Sequence, residues 1–83
     1  MSSATTEVDR VARESYGKLL AWLTTRTRDP ALAEDALADA LTRALEHWER
    51  DGVPKVPEAW LLTVARRRLI DTQRAKARHA EML

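Results

Sequence analysis

Two interruptions cut this chain into three stretches, and each stretch repeats its apolar residues at the spacing of a helix. The first interruption is Asp29-Pro30. There the aspartate can accept from free backbone amides as an N-cap, and proline at the first helical position gives up no needed donor. The second is the run from Arg50 to Pro57, which holds two of the three prolines and one of the two glycines, so that neither helix nor strand can pass through it. Leu and Ala dominate the apolar residues, Phe is absent and Val and Ile are few, a composition that favours helix over sheet. The expected fold is all-α, a compact bundle of three main helices with room for one of them to be split in two.

The first helix is expected from about residue 7 to 27. Thr6 serves as N-cap, Asp9 lies in the first turn, and Val8, Ala12, Tyr16, Leu19, Leu20 and Leu23 form its inner stripe. Gly17 inside it costs about 1 kcal/mol relative to alanine, which points to a close helix crossing at that position. In the second helix Leu37, Leu41, Ala44 and Trp48 make the apolar stripe, Asp35, Asp39, Thr42, Glu46 and Glu49 make an acidic outer one, and Asp51-Gly52 ends it with a glycine cap. Pro57 opens the third helix. Its apolar side is Leu61, Ala65 and Leu69 with Leu62, Val64 and Ile70, and Arg66, Arg67, Arg74 and Arg78 lie away from that side. Residues 1–6 are expected as a disordered tail, 7–78 as the folded domain and 79–83 as a frayed end. A chain of 83 residues makes one domain and buries only about 60 to 65% of its unfolded surface, so the core is thin.

The net charge of +1 hides a segregation. Residues 29–51 carry seven acids against Arg43 and Arg50, a net of −5, whereas residues 53–83 carry seven bases against Glu58, Asp71 and Glu81, a net of +4. One small domain therefore offers an acidic face and a basic face, the arrangement expected of a chain with two different partners. Without cysteine there is no disulfide framework and no thiolate metal site. The first ten residues lack the apolar stretch of a signal peptide and no run reaches 18 apolar residues, so a cytoplasmic location without a membrane association is expected.

Each candidate feature has an ordinary reading beside its functional one. Closely spaced arginines neutralise phosphates and fork onto guanine edges, but they also decorate plain solvated helices. Trp60, at the start of the basic helix, either stacks on an unpaired base or packs in the core. Trp22 and Trp48 are assigned mainly to packing. The acidic stripe either solubilises the surface or meets a long basic partner helix. His47 and His79 have no second ligand at a helical offset, and no phosphate loop, nucleophile set or zinc-protease signature can be assembled, so neither a metal, a cofactor nor an enzyme activity is expected.

Ala33-Glu34-Asp35, then a loop, then Ala59-Trp60-Leu61, Val64-Ala65-Arg66 and Leu69-Ile70-Asp71 resemble, in this order, region 2 of bacterial sigma factors, in particular the extracytoplasmic-function group. The resemblance spans about residues 8 to 76. It implies that the second helix docks on the clamp helices of the largest subunit of core RNA polymerase through Glu34, Asp35, Ala38 and Asp39. Ala38 stands where the family usually has glutamine, and Leu41 where it usually has an aromatic residue.

The same resemblance implies that the loop and third helix recognise the minus-ten promoter element. The loop would capture a flipped base of the non-template single strand, and Arg50, Lys55, Trp60, Arg66, Arg67, Arg68 and Arg74 would be the DNA contacts. Arg67 replaces an asparagine common in the family. Complete members carry a second helical domain that reads the minus-thirty-five element, so the resemblance implies an isolated domain that does not initiate transcription alone, with an anti-sigma factor as a further partner. Two other readings of the residues stand beside it: a helical protein-interaction module without a DNA role, and a duplex-binding helix-turn-helix regulator, which would need a shorter turn than residues 50–57 provide.

Overall fold

In a computed structural model, described here for residues 3–82, the chain forms three helices and, among those residues, no strand: α1 Ser3–Thr27, α2 Pro30–Asp51 and α3 Pro57–Met82. The all-α bundle expected from the sequence is found, and no helix is split. Side chains from all three meet in one core, with Val11, Leu23, Leu37 and Leu61 the largest of those fully enclosed. α2 lies between the other two and packs extensively on both, while α1 and α3 touch least. No charged or polar residue is buried among the described residues.

The helix ends follow from local chemistry. The Asp29 carboxylate accepts from the amides of Ala31 (3.1 Å) and Leu32 (3.3 Å), which makes it the cap the sequence implied. Gly52 closes α2 at φ 91°, a conformation that L side chains rarely adopt, and its amide donates to the Trp48 carbonyl at 3.0 Å. α1 stops by a device that the sequence did not announce. Arg28 takes the left-handed conformation (φ 58°) while its amide donates to the Thr24 carbonyl at 2.8 Å. Pro57 is the first residue of α3 and is buried.

Three expectations are corrected. α1 begins at Ser3, not near residue 7, because Ala4 sits one turn before Val8 on the same face and is buried with it. Thr6 is therefore inside the helix, and residues 3–6 of the expected tail form its first turn. The inner stripe of α1 runs through Val11, whereas Ala12, Tyr16 and Leu20 are half-buried. Gly17 is exposed, and a Cβ built there meets nothing within 4 Å, so it marks no close crossing. At the other end α3 continues through residues 79–82 as an exposed helix; Met1, Ser2 and Leu83 lie outside the described residues. At 26 residues α3 is about 39 Å long, and none of its residues after Leu69 is buried, so its last turns overhang the bundle.

Candidate functional site

α2 presents Glu34, Asp35 and Ala38 outward, followed along the helix by exposed Thr42, Leu45, Glu46 and Glu49. Leu45 is 41% exposed, so this acidic face has an apolar element in it. Asp39 does not share the face fully. Its side chain is 29% exposed, it lines the groove between α2 and α3, and it accepts a hydrogen bond from Arg43 Nε at 2.9 Å.

Three consecutive arginines on α3 point in three directions, because successive residues are turned about 100° around a helix. Arg66 and Arg67 line the groove on the α1 side, and Arg67 and Arg68 line the one on the α2 side. All three are exposed, and among the described residues none makes an ion pair. Arg74 is exposed on the part of α3 that leaves the bundle, and Lys55 is exposed in the loop between Gly52 and Val56. Arg50 is engaged locally, with Nε 3.4 Å from the Asp51 carboxylate and Nη2 3.3 Å from His47 Nδ1.

Trp60 is held from two sides. Its ring meets Trp48 edge-on at 5.4 Å between centroids and His47 at 5.8 Å in a tilted arrangement. Trp60 thus packs against the core, with its half-buried ring one wall of the α2–α3 groove. Trp48 is buried, and its Nε1 has no hydrogen-bond partner among the described residues. Trp22, which sequence reasoning gave to packing, is only half-buried and opens onto the α1–α3 groove beside Ala59, Leu62, Thr63 and Ile70. Arg26 holds its guanidinium carbon 3.8 Å from the Trp22 ring centroid. An arginine four residues after a tryptophan is the signal in the sequence that marks this pair, since i and i+4 share a helix face. His47 was weighed in the sequence only as a metal ligand; its position between Arg50 and Trp60 comes from the fold.

A network at the other end joins α1 to α3. Arg10 pairs with Glu7 and with Glu14 (2.8 Å) on its own helix and reaches Glu58 of α3 at 3.6 Å. The hydrogen bond from Arg10 holds the Glu7 carboxyl below its ordinary value, and the bonds to Glu7 and then Glu14 raise the guanidinium. Among the described residues no group of three or more His, Asp or Glu side chains is placed to hold a metal ion, and no helix is long and apolar enough to cross a membrane.

Residues 11–79 match the family described as Sigma-70 region 2. The chain is also 38% identical over 69 residues to an uncharacterized protein of Rhizobium meliloti (strain 1021), a match that covers 83% of this chain and 15% of that protein. The chain thus spans about 15% of the length of the curated relative it matches. No solved structure matches it.

Proposed function

The chain belongs to the Sigma-70 region 2 family, and from that premise we propose that it is the core domain of a sigma factor of the extracytoplasmic-function group, acting in the cytoplasm. It binds core RNA polymerase through α2 and engages the minus-ten promoter element through the loop and α3. The supporting observation is the division of charge between two helices: Glu34, Asp35, Glu46 and Glu49 are exposed on α2, and Arg66, Arg67, Arg68 and Arg74 are exposed on α3 and, among the described residues, without an ion pair. Glu34, Asp35 and Ala38 form the centre of the polymerase contact, with Asp39 at its edge, and the basic clamp helices of the largest subunit are the complementary partner. Arg66, Arg67, Arg68 and Arg74 supply charge to the DNA, with Arg50 and Lys55 at the loop. Trp60 stands beside them as a packed wall.

The mechanism is binding energy and involves no bond chemistry. Opening a base pair costs a few kcal/mol, and a domain that holds the unpaired strand better than the duplex offsets that cost. An anti-sigma protein covering either face would block one half of the function.

The test is fluorescence anisotropy with single-stranded non-template minus-ten oligonucleotides against matched duplex, with and without a fragment of the polymerase clamp, at two salt concentrations. Preference for the single strand, strengthened by the clamp fragment and weakened by Asp35→Arg only when that fragment is present, is the expected result. Weak binding without preference that vanishes at higher salt would leave a helical protein-interaction module in place of the sigma reading.

A further inference from the structure

From the groove between α1 and α3 we infer that Trp22, a residue of the first helix, is the platform on which an unpaired base of single-stranded nucleic acid stacks. This inference rests on the sigma reading for its ligand class but adds a site outside the loop and α3.

Three observations carry it. First, of the two half-buried tryptophans, Trp22 is the one whose ring borders an apolar groove and meets no other aromatic ring among the described residues. Trp60 already has an aromatic ring on two sides, whereas Trp22 forms one wall of a groove otherwise lined by Ala59, Leu62, Thr63 and Ile70. Ile70 is 37% exposed, among the few large apolar side chains left in water. Second, the groove continues along the helix seam, since the depression lined by Arg26, Thr27, Leu69 and Gln73 shares Arg66 and Ile70 with it. Arg26, Arg66 and Arg67 border this track, and no carboxylate lines it. Third, none of these arginines makes an ion pair among the described residues, and Arg26 covers the Trp22 ring, which fixes the indole and sets a cation beside it.

A cationic track beside a fixed aromatic ring is the arrangement that binds single strands: guanidinium groups follow the phosphates and each base has a π-face to stack. A purely apolar partner helix would leave the three guanidinium groups unmatched. The groove on the other side of α3 sets the carboxylates of Asp39 and Asp71 among Arg43, Arg67 and Arg68, so its cations are partly countered. The unmatched guanidinium groups favour a nucleic-acid strand over an apolar helix, and the indole held beside a cation favours a ligand with a flat ring; an acidic amphipathic helix is the competing occupant that the test separates.

The experiment is a scan of a single-stranded minus-ten oligonucleotide with one abasic site at each position in turn, bound to the 83-residue chain and to two variants. Trp22→Leu keeps apolar bulk but removes the π-face. Ala59→Leu fills the groove from an exposed position without touching the core, and so serves if Trp22→Leu fails to fold. The wild-type chain should lose about tenfold in affinity when one particular base is missing. Both variants should bind the intact strand about tenfold more weakly and be insensitive to that abasic site. If the wild-type chain binds the strand and both variants bind it equally well, Trp22 is not the platform and the sigma reading stands. No binding of any strand by the wild-type chain overturns both. Binding of a designed Glu/Leu amphipathic peptide that Ala59→Leu abolishes, without an abasic effect, would assign the groove to a protein partner and overturn the inference.

Discussion

The two grooves beside α3 share Arg67 and differ in nearly everything else. On the α1 side the walls are apolar, the cations are unpaired and no carboxylate is present. On the α2 side Asp39 ties up Arg43, Asp71 stands among Arg67 and Arg68, and His47 and Trp60 fill the remaining wall. The comparison teaches that a run of arginines does not define a binding face. The helix packed against it does, by supplying or withholding counter-charge.

The largest change would remove both grooves at once. Leu61 is fully buried and ties α3 into the core, so Leu61→Ala should cost about 2–5 kcal/mol. In a domain this thin that loss approaches the whole folding stability of roughly 5 kcal/mol. Urea denaturation should show it, and single-strand binding should fall in proportion to the unfolded fraction. Binding retained by the unfolded chain would break the comparison, because charge without architecture would then suffice.

A sharper division comes from the arginines. Arg66→Ala should weaken single-strand binding and lower the salt slope by about 0.7 for the phosphate it no longer neutralises. Arg68→Ala, on the groove where Asp71 partly counters the charge, should lower that slope by less. Equal slopes for the two variants would erase the distinction between the faces. Adding to the contrast, Asp39→Asn combined with Asp71→Asn should make the α2 side more hospitable to phosphate, raising non-specific duplex affinity by about two- to threefold as expected for screened surface charges.

Smaller effects test the α1 wall. Gly17→Ala adds a methyl group into open space within a helix, and should stabilise the domain by roughly 0.5–1 kcal/mol without altering either groove. A calorimetric scan measures it, and a loss of stability would mean that α1 packs differently. Smallest is the acid response of the Arg10 network. Because the folded Glu7 carboxyl lies below its ordinary value, its contribution is present above that ordinary value and fades as pH falls through the lower folded one. Glu7→Gln should therefore flatten the acid limb of a stability profile slightly and leave neutral pH almost unchanged.

Element identity was legible because it is local. Asp29-Pro30 and Gly52 announce helix ends through their own backbone chemistry, and of the Leu37, Leu41, Ala44 and Trp48 stripe all but the half-buried Leu41 are buried as the spacing implies. The start of α1 was not legible, since Ser2, Ser3, Thr5 and Thr6 are all residue types that cap helices and single out no one position, and the burial of Ala4 extends the helix to Ser3. Of the candidate site, the exposed positions Asp35, Arg66, Arg67 and Arg74 could be read from helical phase alone, whereas Glu34 and Arg68 entered only with the family resemblance. The turning of Asp39 toward Arg43, and the different surroundings of Trp22 and Trp60, depend on which helices are neighbours.

The sequence by itself determined three helices, their amphipathic phase and the segregation of acid from base, because these follow from spacing, caps and charge along one chain. Only the tertiary structure decided which tryptophan is enclosed by aromatic neighbours and which opens onto a groove, and which arginines face carboxylates. Those outcomes rest on contacts between residues far apart in sequence, where packing of one helix on another fixes what each side chain meets.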